Sequence, residues 1–351
     1  MKNKIKFGIV LTTKNTYTMV EEWLGLFDYS KVPILNLDLD SKEKFKRIGR
    51  EICKNNNIDF LNANSTVLQD NLSQALDFFY KHKGIKWVLY MHHDAYPLEY
   101  DTLEKLNNLL TNSKKIKNFG MIGFNVYHDN YDLCKFKKGN VQLMSTARSP
   151  LELGNGYYNR KFSSRVNYKN FSGQPFAVEC PMQSTILLNY SQYKASIQTD
   201  YSFNFFNSLD DVAFQFLKNG IYNIVIPNIS FAHDQSLKLK HGLPFSSPNG
   251  NPRIYGRFDH IRRWKLKWGF SFSTSKYSFG GDSFINRNGV INKCIDRFSE
   301  FFHLRIFNSL NTVARKTYKD HLKFSHVKKK TLIDDFFEHD PINGPLKYFD
   351  L

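Results

Sequence analysis

Hydrophobic positions along this chain switch repeatedly between short continuous runs and a spacing of three and four. Lys4 to Thr13 reads as a buried strand that ends in a polar loop, Thr12-Thr13-Lys14-Asn15-Thr16-Tyr17. A helix is expected around Val20–Phe27, then a strand over Val32–Asp38 that turns abruptly acidic at Asp38-Leu39-Asp40-Ser41. Lys42–Asn55 reads as helix and Ile58–Ala63 as a third short strand. Leu72, Ala75, Leu76 and Phe79 place a helix over Asn71–His82. Ile85–Met91 is strongly apolar and runs into His92-His93-Asp94-Ala95-Tyr96-Pro97. Asp101 is expected to cap a helix reaching Leu110, and Gly120–Tyr127 is a further strand.

Regularity fails from His128 to Pro175, and a segment of that length inside a domain is usually functional. Phe176–Leu188 resumes as strand. A helix over Leu209–Leu217 opens with Asp210-Asp211 and stops at Asn219-Gly220. Tyr222–Phe231 is a strand that delivers Ala232-His233-Asp234. The stretch from Gly242 to Gly256, with Pro244, Pro248 and Pro252, marks a boundary. Two parts are therefore expected, 1–240 and 241–351. Strands alternating with helices of about ten residues predict an α/β domain on a mostly parallel sheet. In such sheets ligands bind beyond the carboxyl ends of the strands, where Asp38, Asp40, His92 and Asp94 fall.

Composition changes this picture in three ways. Four cysteines, Cys53, Cys134, Cys180 and Cys294, form no CxxC pair, which argues against a zinc knuckle or a disulfide scaffold. No apolar run approaches the ~20 residues that span a bilayer, and the expectation is a cytoplasmic protein, peripheral at most on the inner face of the membrane. The net charge of +17 is uneven: 18 Lys/Arg face 5 Asp/Glu over residues 241–330, ahead of an acidic tail. Such a stretch suits phosphates on a nucleotide, an anionic lipid or a nucleic acid, or is simply a solvated face. Within it Ile291, Ile295, Phe298, Phe302, Ile306, Leu310 and Val313 recur at helical spacing. That amphipathic helix packs on its own domain or lies on an anionic bilayer.

The polar clusters carry the chemistry. Taken singly, an acid after a strand is a turn or cap residue. Taken in order, they resemble the family-2-like inverting glycosyltransferases of the GT-A fold, over roughly residues 4–235. The opening strand and Thr-containing loop run from Ile9 to Asn15. Asp38 or Asp40 with Ser41 follows the second strand, and Asn71-Leu72-Ser73-Gln74-Ala75 opens a helix. His92-His93-Asp94 is the His-x-Asp variant of the Asp-x-Asp motif. Asp210-Asp211 opens a later helix, and His233 lies 22 positions beyond Asp211.

The resemblance implies a Rossmann-like GT-A domain with a basic, mainly helical C-terminal extension. It implies sugar transfer with inversion from a nucleotide diphosphate to a glycan or lipid-linked acceptor, in cell-surface polysaccharide or glycoconjugate synthesis. UDP is the first guess, with GDP or dTDP as the other carriers. Thr12, Thr13, Asn15, Asp38, Asp40 and Ser41 then bind the nucleotide. Asp94, His233 and His92 hold a divalent cation, Mn²⁺ or Mg²⁺; the imidazoles favour Mn²⁺ because Mg²⁺ prefers oxygen. Asp211 takes the place of the general base, and Asp210 orients or binds the acceptor. His260-x-x-Arg263-Trp264 is similar to an element of processive synthases, and Lys267-Trp268-Gly269 to an ending of soluble members. Either puts Arg263 near a diphosphate and Trp264 or Trp268 near a sugar.

Three other readings compete. A nucleic-acid binding protein is motivated by the basic stretch with its interleaved aromatics, but no binding motif accompanies it, so no specific nucleic acid is expected. A nucleotidyltransferase needs a Gly-rich, Arg-containing phosphate loop, which Thr12-Thr13-Lys14-Asn15 is not. A non-catalytic relative that binds a glycan or nucleotide is motivated by His92 in place of the commoner acid.

Overall fold

The computed structural model describes residues 4–65, 67–129, 174–178, 180–181, 183–203, 208–234, 267 and 348–351. Its first half is a run of parallel strands. β1 (Phe7–Thr13) lies between β2 (Ile34–Asp38) and β4 (Trp87–Met91), with β3 (Asp59–Asn62) outside β2. Parallel neighbours need crossovers, supplied here by α1 (Tyr17–Leu24), α2 (Glu43–Asn55) and α3 (Leu68–Lys83). Helices cover both faces, so the residues of β2 and β4 are buried throughout.

Beyond β4 the sheet becomes mixed. β8 (Thr185–Asn189) runs antiparallel to β4 and to β6 (Ile122–Asp129), while β9 (Asn223–Asp234) runs parallel to β6. β5 (Ala95–Pro97) and β7 (Phe176–Val178) each pair antiparallel with β9. The register of β6 against β9 slips between Phe124 and Asn125. The extra residues on β9 include Pro227, which has no N–H for a ladder. Two apolar layers sandwich the sheet. Trp23, Leu106 of α4 (Thr102–Asn112), Phe124 and Phe231 fill one. Leu72, Phe79, Tyr193 of α5 (Tyr190–Ser196) and Phe216 of α6 (Ser208–Lys218) fill the other. Gly84 ends α3 in the left-handed region at φ 65°, where a side chain would be strained.

Several expectations change in detail. The strand read over Phe176–Leu188 is two strands, broken around Cys180-Pro181, where proline cannot donate and packs instead against the bare Cα of Gly123. β5 and α5 are additional elements; Asn189 caps α5 by accepting from Ser191 N and Gln192 N. Asp101 does not cap α4 through its side chain but pairs with Lys105 at 3.1 Å. No helix among the described residues is long and apolar enough to cross a membrane.

Two pieces from beyond the boundary near residue 241 pack on the part before it. Tyr348 bridges Phe176, Phe349 N donates to the Pro175 carbonyl at 2.8 Å, and the Phe349 ring meets Phe119 and Tyr222. Lys267 is the other. The amphipathic stripe from Ile291 to Val313 lies outside the described residues.

Candidate metal and donor site

β1, β2 and β4 end along one edge, and the polar clusters gather there. After Met91 the chain makes a tight turn in which Ala95 N donates to the His92 carbonyl at 2.9 Å. His92 N donates to the Ser184 carbonyl at 2.9 Å, fixing the turn to the start of β8. The Trp23 indole N–H donates to the Ala95 carbonyl from beneath. In the β5–β9 ladder Ala95 stands opposite His233, which brings that imidazole beside Asp94. His233 Nε2 lies 3.2 Å and His92 Nδ1 3.8 Å from Asp94 Oδ1. Asp94 is fully buried, His233 nearly so, and the His92 side chain is 30% exposed.

One donor atom from each of the three lies within 4.8 Å of the others. Nitrogen and oxygen donors at about 2.1 Å from a shared ion stand at most about 4.2 Å apart. Donors no more than 4.8 Å apart therefore reach that limit by closing at most about 0.6 Å, and somewhat more where they do not face each other across the ion. Two imidazoles and a carboxylate are borderline donors that suit Mn²⁺ better than Mg²⁺. The residues fit a divalent cation.

The loops after β1 and β2 form the other half of the edge. Asn15 N donates to Ser41 Oγ and Lys42 N to Asn15 Oδ1, both at 2.9 Å, so each loop holds the other. Asn15 and Asp40 both adopt left-handed backbone, at φ 59° and 61°, a conformation that Asn and Asp tolerate better than most residues. Asp38 is buried and accepts from the Tyr17 hydroxyl and from Ser41 N, with Lys46 at 3.6 Å. Burial, then the bond to Asp38, push the Tyr17 phenol above its ordinary range. Thr13 is buried too, donating to Asn36 at 3.2 Å. Thr12 Oγ1 lies 3.4 Å from the Tyr90 hydroxyl, whose pKa burial pushes up to about 12. Among the residues assigned to the nucleotide, then, Thr13 and Asp38 are spent on internal bonds. Asn15 and Ser41 tie the loops, Thr12 is half-buried, and Asp40 is exposed.

The two acids of α6 face different surroundings, although both are fully buried. Asp211 accepts from Gln69 Nε2 at 3.0 Å and from Gln215 Nε2 at 2.7 Å, and Lys267 Nζ is 2.7 Å away. Lys267 also pairs with Asp200 at 2.9 Å. Burial pulls the Lys267 pKa down, but Asp211 and then Asp200 outweigh it and hold the ammonium above the ordinary lysine range. Asp210 Oδ1 instead accepts from Gln183 Nε2 at 2.7 Å. Gln183 precedes Ser184, whose carbonyl holds His92, so Asp210 is linked to the side of the edge that carries the metal-type cluster.

Arg263, Trp264 and Trp268 lie outside the described residues. Lys267, Asp200 and the carboxamides Gln69, Gln183 and Gln215 were not expected at the site. The sequence signals for Lys267 are its place in the basic stretch and in Lys267-Trp268-Gly269, and neither pairs it with an acid.

No family model and no curated protein matches the sequence. Solved structures do. GalNAc-T7, crystallised with UDP, GalNAc and Mn²⁺, superposes with a TM-score of 0.53 at 12% identity, over 97% of this chain and 59% of that one. TarS 1-349 of S. aureus superposes with a TM-score of 0.45 at 10% identity, over 98% and 96%. The mannosyltransferase PcManGT from Pyrobaculum calidifontis gives 0.41 at 11%, over 96% and 79%. This chain spans little more than half of GalNAc-T7. The overlap with GalNAc-T7, carried through nearly the whole of this chain, shows that it has the GT-A fold.

Proposed function

We propose that this protein is a metal-assisted glycosyltransferase that moves a sugar from a nucleoside diphosphate to a hydroxyl acceptor. One observation carries the reading: a carboxylate and two imidazoles converge at the strand-end edge of a GT-A sheet. In this reading Asp94 and His233 hold a divalent cation, with Mn²⁺ the first choice, and His92 contributes from the open side. The cation supplies positive charge against the diphosphate as it leaves. Thr12, Asp40 and the cross-tied loop of Asn15 and Ser41 receive the nucleoside; Asp38 and Thr13 shape that loop from below.

The resemblance gives Asp211 the place of the base. Its carboxylate is already engaged by Lys267, Gln69 and Gln215, whereas Asp210 is linked through Gln183 to the edge that carries the metal-type cluster. We therefore assign proton removal to Asp210. The acceptor O–H proton passes to an Asp210 oxygen as the acceptor oxygen bonds the anomeric carbon and the bond to the diphosphate breaks. A single displacement of this kind inverts the anomeric centre. The basic residues 241–330 suit an anionic surface that carries a glycan or lipid-linked acceptor, in synthesis of a cell-surface glycoconjugate.

Thermal scans test the donor half. A ligand at ~100 times its dissociation constant stabilises a fold by about 2.7 kcal/mol, a few degrees for a chain of this size. UDP or GDP together with Mn²⁺ is expected to raise the melting temperature more than either component alone. Indifference to every nucleoside diphosphate would leave a non-catalytic glycan-binding protein as the better reading.

A further inference from the structure

Lys267 belongs to the C-terminal part by sequence and to the acid pair by contact. It is 8% exposed, and its ammonium lies between the carboxylates of Asp200 and Asp211. Gln69 ties the same two acids from α3: its Nε2 donates to Asp211, and its Oε1 accepts from Asp200 N at 2.7 Å. Lys267 supplies the one counter-charge within contact of both buried carboxylates that these ion pairs show. Successive residues of an α-helix point about 100° apart, from 3.6 residues per turn. Tying Asp211 down toward α3 therefore sets the rotation of the first turn of α6. That rotation turns Asp210 to the other side, where Gln183 meets it.

We infer that Lys267 is a positioning residue: by anchoring Asp211 it presents Asp210 to the donor edge, so the acid site is complete only with a cation from beyond residue 241. This rests on the reading of Asp210 as the base.

The test uses full-length variants and two readouts besides stability. Lys267→Met leaves two buried acids without a cation and is expected to lower the melting temperature by about 5 °C. Adding Asp211→Asn removes one anion for the lost cation and should restore most of that loss, giving a folded protein in which the tie is cut. Stabilisation of this double variant by UDP with Mn²⁺ should match wild type. Its turnover, on whichever of a panel of UDP- and GDP-sugars the wild type uses, should fall at least about tenfold in kcat with KM for the donor unchanged. Lys267→Arg, which keeps the cation, should retain most of the turnover. Wild-type kcat in the double variant overturns the proposal, as does an unchanged melting temperature in Lys267→Met. Asp210→Asn separates the two claims. Full turnover in that variant removes Asp210 as the base. Loss there beside a fully active double variant removes only the positioning by Lys267.

Discussion

Two corners of the molecule bury an aspartate completely and solve the problem in opposite ways. At the end of β4, Asp94 is met by His233 and His92, side chains that are neutral donors unless protonated. At the start of α6, Asp211 is met by the Lys267 ammonium and two carboxamides. The second set already has a counter-charge supplied by the protein, shared with Asp200. The first is a donor set that a cation would complete. Burial alone therefore does not identify a functional acid; the partners decide, because a buried carboxylate needs either a fixed counter-charge or an exchangeable one.

The largest effect should come from separating the acids of α6. Asp210→Asn keeps size and polarity but cannot take the acceptor proton, so turnover should fall by about 10²–10⁴ while UDP with Mn²⁺ still raises the melting temperature. Asp211→Asn should lose stability first and turnover less. A larger turnover loss in Asp211→Asn than in Asp210→Asn would return the base to Asp211 and make the Lys267 pair part of the catalytic machinery.

A smaller effect belongs to the metal corner. Asp94→Ala should abolish the joint stabilisation by nucleotide and Mn²⁺, about 2.7 kcal/mol at ~100 times the dissociation constant. His92→Ala should weaken it less, because the His92 side chain is more open and its nitrogen stands farther from Asp94. Equal stabilisation of wild type and Asp94→Ala would take Asp94 out of the site and erase the contrast with Asp211.

How much of this was legible in the sequence follows from how local each signal is. Runs such as Ile85–Met91 and Val32–Asp38 announce buried parallel strands, because both faces are covered and the apolar positions run on without alternating. Asp94 and His233 could be paired because each follows such a run. β5 is three residues long, too short for a period to show, yet its ladder is what joins them. The Lys267–Asp200 pair links positions 67 apart, and although Lys267 opens the Lys267-Trp268-Gly269 element, nothing local names its acidic partners. Asp38 and Asp40 were equivalent candidates by sequence. Strand geometry separates them: Asp38 is still in β2 and points into the protein, whereas Asp40 has left it and is exposed.

Asp38 gives the third and mildest form of the comparison. Its buried carboxylate is held chiefly by the Tyr17 hydroxyl and Ser41 N, with Lys46 farther off at 3.6 Å. Tyr17→Phe removes one of these and leaves the other two, so the cost should sit near the low end for a bond to a charged group, about 1.5 kcal/mol. The pH dependence gives the change a signature. Burial first, and the bond to Asp38 second, raise the folded-state pKa of Tyr17 above its ordinary value. A raised folded pKa means the stabilisation is complete below the unfolded pKa, about 10, and is lost as pH rises through the folded value. Denaturant melts should therefore show wild type above Tyr17→Phe by a constant margin from neutral pH to about 10, with the margin shrinking at higher pH. Parallel curves through the alkaline range, or no margin at neutral pH, would mean the phenol does not hold Asp38. The loop that carries Asp40 would then owe its shape to Ser41 and Asn15 alone.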